Sequence, residues 1–304
     1  MASNGETNGK TDLLPFRAMT WNVLASAHTK WNTAHGGERM AEESECQRNN
    51  RHTIVANTIN REMPDVVMLQ EVDVRFLPSD WEGGPLPCGV ELRGNKAYRS
   101  YALTRSGVME GVAILLRRGV WELDTSLPQE AWCRRLGKCQ RRGRKAGIVL
   151  HARRCHDHSQ RCAFASVHLK WGELEPKLAM IADVLDEAQI AQKEISESGE
   201  RLTIVLGGDF NTRGSYMKPI DDLIEERGLS RCPTPNLPTC MGSQEEQIDF
   251  IYCSKNLGCP AGSLCRIGNL PKPGKGPWGD EPGDGSDHAW VQATITSKCS
   301  NFPD

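Results

Sequence analysis

No stretch of the 304 residues stays apolar over the roughly 18 positions that a membrane-crossing helix needs, so a helical transmembrane segment is excluded. The first twelve residues, MASNGETNGKTD, are polar and hold no apolar core of the kind a secretory signal requires. The expected location is therefore the cytoplasm, with the nucleus left open. Positive charge is not in excess either: 37 Lys and Arg face 39 Asp and Glu, for a net charge of −2. A globally basic nucleic-acid binder is excluded, and any electrostatic steering must come from local patches. Internal repeats and long low-complexity tracts are absent too. With 38% hydrophobic and 25% charged residues, a sizeable core can form and general disorder is excluded.

A CxxC pair is also missing from the twelve cysteines, and their share of the chain is too small for a disulfide scaffold. Without a secretory signal the expectation is free thiols in a reducing compartment. The segment CHDHSQRC from Cys155 to Cys162 holds two cysteines with His156 and His158, and Cys133 and Cys139 lie upstream. Its spacing matches no common zinc pattern, so ordinary thiols around a polar turn are preferred to a zinc site. Cys253, Cys259 and Cys265 give still less reason to expect a metal.

What is present is a succession of short apolar runs. Those at 17–23, 66–70, 112–116, 147–151, 163–168, 203–207, 248–252 and 289–295 read as strands, rich in Val, Ile, Phe and Ala and mostly bounded by turn residues. Helical spacing predicts helices over 47–63, 174–196 and 216–227, the last stopped by Gly228. Residues 1–15 and 298–304 read as flexible tails around one domain spanning 16–297. Three long loops are expected, at 22–47, 73–99 and 269–286, the last with four prolines and five glycines. Mixed helical and hairpin connections indicate an α/β architecture.

Polar residues gather at the strand ends: Asn22 after the first strand, Glu71 after the second, His168, Asp209 with Asn211, Asp249, and the pair Asp287-His288 before the last. Each has an ordinary reading on its own. Asn22 can close a turn, Glu71 can be a solvated charge, and His168 a satisfied core histidine. Gly208-Asp209-Phe210-Asn211 can be a tight turn and Ser286-Asp287-His288 a cap. Asp249 inside an apolar strand is harder to dismiss, because an unpaired buried carboxylate is costly. Six such features falling together by chance is not credible, and they share one chemistry. Glu71, Asp287 and Asn22 are hard oxygen ligands suited to magnesium. Asp209 can orient and deprotonate a water, and Asn211 can donate or accept from its amide. His168 and His288 can donate to phosphoryl oxygens, and Asp249 can charge one imidazole. Together they suit metal-assisted attack of water on phosphorus.

The order Trp21-Asn22, Leu69-Gln70-Glu71-Val72, His168-Leu169, Gly208-Asp209-Phe210-Asn211, Ile248-Asp249-Phe250-Ile251-Tyr252 and Ser286-Asp287-His288 resembles the endonuclease/exonuclease/phosphatase superfamily, the deoxyribonuclease I-like fold, over about residues 15–297. The resemblance implies a four-layer α/β sandwich of two packed mixed β-sheets flanked by helices, with the site at one edge. It implies Glu71 as the principal magnesium ligand, with Asn22 and Asp287 nearby and manganese able to substitute. It further implies Asp209 as the residue activating water and Asn211 positioning phosphate. His288 paired with Asp249 contacts the scissile phosphate, and His168 is the second imidazole. No motif departs at a catalytic position, which disfavours a dead enzyme. Trp21 to Ala25, Gly111 to Leu115, His168 to Trp171 and the following Lys177-Leu178 resemble the carbon catabolite repressor-type deadenylase and nocturnin-like branch. The Gly208 to Arg213 segment suits generic bacterial members equally, and no leucine-rich repeat precedes the domain. An inositol 5-phosphatase would show Pro-x-Trp-x-Asp-Arg where Gln247 to Ile251 stands.

Residues 134–145 (RRLGKCQRRGRK) hold seven Lys or Arg and no acid. Arg134, Arg135, Arg141, Arg142, Arg144 and Lys145 can clamp a nucleic-acid backbone, with Arg153, Arg154 and Arg161 following; a solvated loop or a localisation signal is the alternative. Trp171, with Trp31, Trp81, Trp132 and Trp278, falls in or beside predicted loops where bases could stack, although packing is the commoner role. The expected substrate is single-stranded RNA, cut by a 3′-to-5′ exoribonuclease of deadenylase type. The alternatives are a small-molecule, nucleotide or lipid phosphatase or phosphodiesterase, a DNA endonuclease, and a non-catalytic RNA-binding module.

Overall fold

The site is carried by strands that end side by side, and the apolar sequence of those strands fixes where they lie. A computed structural model describes residues 13–24, 43–72, 90–92, 95–104, 111–127, 133–135, 147–196, 202–240, 247–260, 263–270 and 285–297. In chain order the described strands are β1 (Phe16–Asn22), β2 (Val66–Val72), β3 (Val90–Leu92), β4 (Asn95–Thr104), β5 (Gly111–Arg117), β6 (Trp121–Leu123), β7 (Cys133–Arg135) and β8 (Gly147–Arg154). There follow β9 (Arg161–His168), β10 (Thr203–Asp209), β11 (Leu229–Arg231), β12 (Asp249–Ser254), β13 (Leu257–Gly258), β14 (Arg266–Ile267) and β15 (Val291–Ser297). The helices are α1 (Glu45–Glu62), α2 (Leu174–Ser196) and α3 (Lys218–Glu226), the last preceded by a 3-10 turn at Gly214–Met217.

One sheet runs β13-β15-β1-β2-β5-β4-β3, with β14 also on β15. The other runs β11-β12-β10-β9-β8-β6, with β7 on β8. Both are mixed: β1 is parallel to β2 and β10 to β9, while the remaining pairings are antiparallel. The crossovers between the parallel neighbours contain α1 and α2, as parallel pairing demands. The two sheets face each other, β1 over β10 and β2 over β9. Phe16, Met68, Ile114, Trp121, Leu150, Phe164, Val205 and Ile251 fill the space between them. A second apolar layer lies beneath α2 and α3, around Val149, Leu185, Phe210, Ile220 and Tyr252. A third joins Val55 and Ile59 of α1 to Met19, Trp21 and Leu69. This is the expected four-layer sandwich, helix on sheet on sheet on helix.

The eight expected strands and three helices are all present, shifted by one to three residues at their ends. α1 starts at Glu45 because Ser44 caps it: its hydroxyl accepts from Gln47 N and the Gln47 side chain returns to Ser44 N. Met63, expected inside that helix, is its left-handed C-cap at φ 50°. The expected loop 73–99 is corrected at its far end, where β3 and the start of β4 pair as a hairpin. Residues 13–15, expected in a flexible tail, are held: Leu13 N donates to Ser297 Oγ at 2.7 Å, and Arg154 reaches the carbonyls of Leu14 and Pro15 at 2.8 and 3.1 Å. Most of loop 269–286 lies outside the described residues. No described helix is long and apolar enough to cross a membrane.

Candidate active site

The register of the strands assembles the polar cluster. Asn22 ends β1 opposite Gln70, and Asp209 ends β10 opposite both His168 of β9 and Asp249 of β12. Four sequence-remote residues thereby meet at one edge of the sandwich. Gln70 pins the sheets together there, donating to Ser166 Oγ across the interface at 3.0 Å and to Thr20 Oγ1 at 3.1 Å. Close approach of β10 to β9 needs Gly208, because a Cβ there would overlap the Val167 carbonyl oxygen.

Glu71 comes from an irregularity rather than from regular strand geometry. The β2–β5 register slips between Leu69 and Val72, and Glu71 takes φ 54°. The bulge re-aims a side chain that the pleat alternation would have placed elsewhere. Glu71 Oε1 lies 3.4 Å from His168 Nε2. Asn211 is the second residue of the cluster with a left-handed backbone, at φ 46°. Its backbone N donates to Asp209 Oδ1 at 2.8 Å, and its amide donates to the Leu169 carbonyl at 2.8 Å.

Asp209 is the hub. Its Oδ2 accepts from Asn22 Nδ2 at 3.0 Å and from Asn211 Nδ2 at 3.2 Å, with His168 Nε2 at 3.4 Å and His288 Nε2 at 4.0 Å. The carboxylate is 1% exposed and so depends on these partners. His288 Nδ1 meets Asp249 Oδ2 at 2.9 Å, both groups buried. Burial pushes the Asp249 carboxyl up to about 6, against the pull of His288. Burial also opposes the His288 imidazolium, but the Cys240 thiol and the Asp249 carboxylate outweigh it and hold its pKa well above the ordinary value. Asp287 is buried between Ser286 and His288. Ser286 anchors that segment through its hydroxyl, which donates to the Asn22 carbonyl at 2.6 Å.

Sequence reasoning missed several residues that hold this arrangement. Buried Lys177 donates to the Asn211 carbonyl and to Thr212 Oγ1, both at 2.6 Å, fixing the turn after Asp209. Thr239 Oγ1 accepts from the backbone N of Ile248 and Asp249 at 3.0 and 3.1 Å. Cys240 bridges to His288 along the backbone. The Arg51 guanidinium holds the carbonyls of Val23 and Leu24 at 2.7 Å while pairing with Glu43. Trp21 Nε1 donates to the His288 carbonyl at 2.9 Å. The Trp21 and Lys177 positions lie in quoted motifs, but nothing in the sequence marks Thr239 or Arg51.

Other expectations fall differently. Arg134 and Arg135 lie on β7, paired with Val149 and Ile148 of β8. Arg141, Arg142, Arg144 and Lys145 lie outside the described residues, as do Trp31, Trp81, Trp132 and Trp278. Three arginines grouped with that patch are engaged structurally. Arg154 is buried over the Trp121 ring at 4.5 Å, Arg153 pairs with Glu122 at 2.9 Å, and Arg161 pairs with Asp124 at 3.5 Å. Trp171 is 55% exposed, with the Arg213 guanidinium 5.2 Å from its ring. The segment from Cys155 to Cys162 is a polar turn: Asp157 accepts from Ser159, His156 and His158 are exposed, and Cys162 points into the core.

Carboxylate and imidazole atoms of Asp209, Asp249 and His288 lie within 4.8 Å of one another, a donor set able to hold a divalent cation. Residues 19–288 match the endonuclease/exonuclease/phosphatase family model. The chain belongs to that family. It is 23% identical over 205 residues to a Schizosaccharomyces pombe protein named a probable RNA exonuclease, a match covering 66% of this chain and 37% of that protein. The chain thus spans little more than a third of that relative. Among solved structures it is similar to ANGEL2, described as a 2′,3′-cyclic phosphatase in complex with adenosine-2′,3′-vanadate, at TM-score 0.63 and 17% identity over 94% of this chain and 96% of that one. It is likewise similar to the human Nocturnin catalytic domain with bound sulfate, at TM-score 0.59 and 16% identity over 95% and 96%. Members of this family hydrolyse phosphoester bonds, and these neighbours share the fold.

Proposed function

We propose that the chain is a magnesium-dependent phosphodiester hydrolase acting on single-stranded RNA as a 3′-to-5′ exonuclease. The observation carrying this reading is the convergence on Asp209 Oδ2 of the Asn22 amide and two imidazoles, within 3.0 to 4.0 Å. A water between Asp209 and the phosphate loses its proton to that carboxylate as its oxygen attacks phosphorus. Asn22 and Asn211 hold the carboxylate in orientation. The His288 imidazolium, kept charged by Asp249, donates from Nε2 to a phosphoryl oxygen, and His168 approaches from the other side.

The donor chemistry fits magnesium. Glu71, Asp209, Asp249 and Asp287 are all buried here, four carboxyl groups beside two imidazoles and Lys177. Glu71, together with Asn22 and Asp287, would hold the ion through oxygen. When bound, it supplies charge neutralisation at the phosphoryl group and leaving oxygen.

RNA is favoured over a small ester by Trp171, whose exposed face beside the Asn211 turn suits stacking by an unpaired base, and by the basic segment 134–145. The Schizosaccharomyces pombe relative points the same way. The second reading, a phosphatase of nucleotide-sized esters, rests on the likeness to ANGEL2. The deciding experiment offers end-labelled poly(A), mixed RNA, single-stranded DNA, a 2′,3′-cyclic nucleotide and a dinucleotide cofactor, each with magnesium. A ladder shortening from the 3′ end of RNA supports the proposal. Turnover of only the small esters transfers it to the second reading.

A further inference from the structure

Four cysteines that no motif singled out come together outside the phosphate site. Cys232 follows β11, Cys253 lies in β12, Cys259 follows β13 and Cys265 precedes β14. The Cys232 and Cys253 sulfurs are 3.8 Å apart. Cys259 and Cys265 neighbour Cys232 and one another, close enough for their thiols to interact. We propose that Cys232, Cys253, Cys259 and Cys265 form a structural zinc site that clasps the edges of the two sheets.

A tetrahedral Zn–S4 centre with bonds of about 2.3 Å sets its sulfurs about 3.8 Å apart, the separation of the Cys232 and Cys253 sulfurs. A disulfide needs sulfurs at about 2.0 Å, and all four residues are free thiols. The ordinary reading of buried cysteines is that they pack as small hydrophobes. That reading accounts for Cys232, Cys253 and Cys265 in the core, but not for four thiols from four segments gathering around Cys232 while Cys259 sits only partly buried at the rim. The backbone supports the convergence: Cys232 N donates to the Ile251 carbonyl at 2.8 Å and Cys265 N to the Pro233 carbonyl at 2.7 Å.

The ligand spacing hides the site from sequence inspection. Twenty residues separate Cys232 from Cys253, and five separate each later pair, unlike the two-to-four-residue knuckles of common zinc sites. The ligands come from strand edges instead of a knuckle loop. β11 and β12 belong to one sheet, and β13 and β14 pair with β15 of the other. Zinc bonds there would fasten the sheets at the edge away from β3 and β6. Asp249 opens β12, so the clasp also steadies the strand carrying the partner of His288. Nothing in this inference depends on the RNA reading.

The test is elemental analysis of the full chain, purified without added zinc and washed with a mild chelator. The expected result is one zinc per chain, released by a thiol-blocking mercurial. Glu71→Ala and Cys155→Ser should keep it, while Cys259→Ser should lower its occupancy or affinity at least tenfold. Should Cys259→Ser fail to fold, cobalt exchanged into the wild-type chain supplies the readout, through the intense visible bands of tetrahedral cobalt–thiolate. Three results would overturn the proposal: no zinc with all four thiols freely titrating, zinc lost with Glu71→Ala but kept with Cys259→Ser, or iron in its place.

Discussion

Asp249 Oδ2 lies 2.9 Å from His288 Nδ1, joining the start of β12 to the segment before β15 across two sheets. The pairing leaves Nε2 of His288 facing the Asp209 carboxylate at 4.0 Å. The carboxylate sets both the orientation and the charge of the imidazole. Asp249→Asn should therefore lower kcat/KM by about a hundredfold or more, the usual scale for a disabled acid–base group. The pH profile should change in a defined sense. The folded His288 pKa lies above its ordinary 6.5, so activity needing the imidazolium declines only as pH rises through that raised value. Removing the carboxylate moves this alkaline limb toward lower pH. The same sign holds for stability: the His288 contribution is full below about pH 6.5 and fades as pH climbs through the folded value. A limb that stays in place in Asp249→Asn contradicts the assignment.

Glu71 occupies φ 54°, where a side chain costs about 1 kcal/mol relative to glycine. Glu71→Gly should abolish magnesium-dependent turnover. It should also leave the metal-free protein equally or more stable, by up to about 1 kcal/mol after the entropy cost of glycine. Thermal melts in chelator, beside activity assays, check both halves.

Lys177 supplies the donor for two acceptors in the Asn211 turn, from a nearly enclosed position. Lys177→Met strands both acceptors, and a loss of about 1–3 kcal/mol is expected with a drop in kcat. Denaturant melts measure the first. Lys177→Arg should restore part of the stability and little of the kcat, because a guanidinium cannot reproduce both short contacts.

Trp171 presents an exposed ring beneath Arg213. Stacking is worth about 1–3 kcal/mol per base, so Trp171→Ala should raise KM for RNA roughly 5- to 150-fold and leave a dinucleotide ester nearly unaffected. Equal effects on both substrates would remove the stacking role. Deleting 136–146 should behave similarly and flatten the salt dependence of RNA binding.

Much of this architecture was legible in the chain. The strands at 66–70, 112–116 and 203–207 are continuous apolar runs, and buried strands of that kind announce themselves by composition. Glu71 and Asp209 were legible because they follow two of those runs. β6, β11, β13 and β14 were not, since two or three residues carry no alternation to read. The strain at Glu71 and Asn211 is a backbone property with no side-chain signature. Arg154 shows the opposite failure. Its charge reads as surface, yet its guanidinium lies on Trp121 and caps the carbonyls of Leu14 and Pro15, satisfied contacts that only the fold creates. The four clustered thiols escaped notice for the same reason, being brought together by strand pairing and not by spacing.

The central claim is that Glu71 and His288 serve one magnesium-dependent hydrolysis of RNA. It is tested most directly by following 3′-end shortening of a labelled single-stranded RNA with magnesium, with chelator, and with the Glu71→Ala and His288→Ala variants. The account predicts a ladder for the wild type in magnesium and loss of at least a hundredfold in each of the other three cases. Undiminished shortening in chelator, or in either variant shown by its melting curve to be folded, would contradict it.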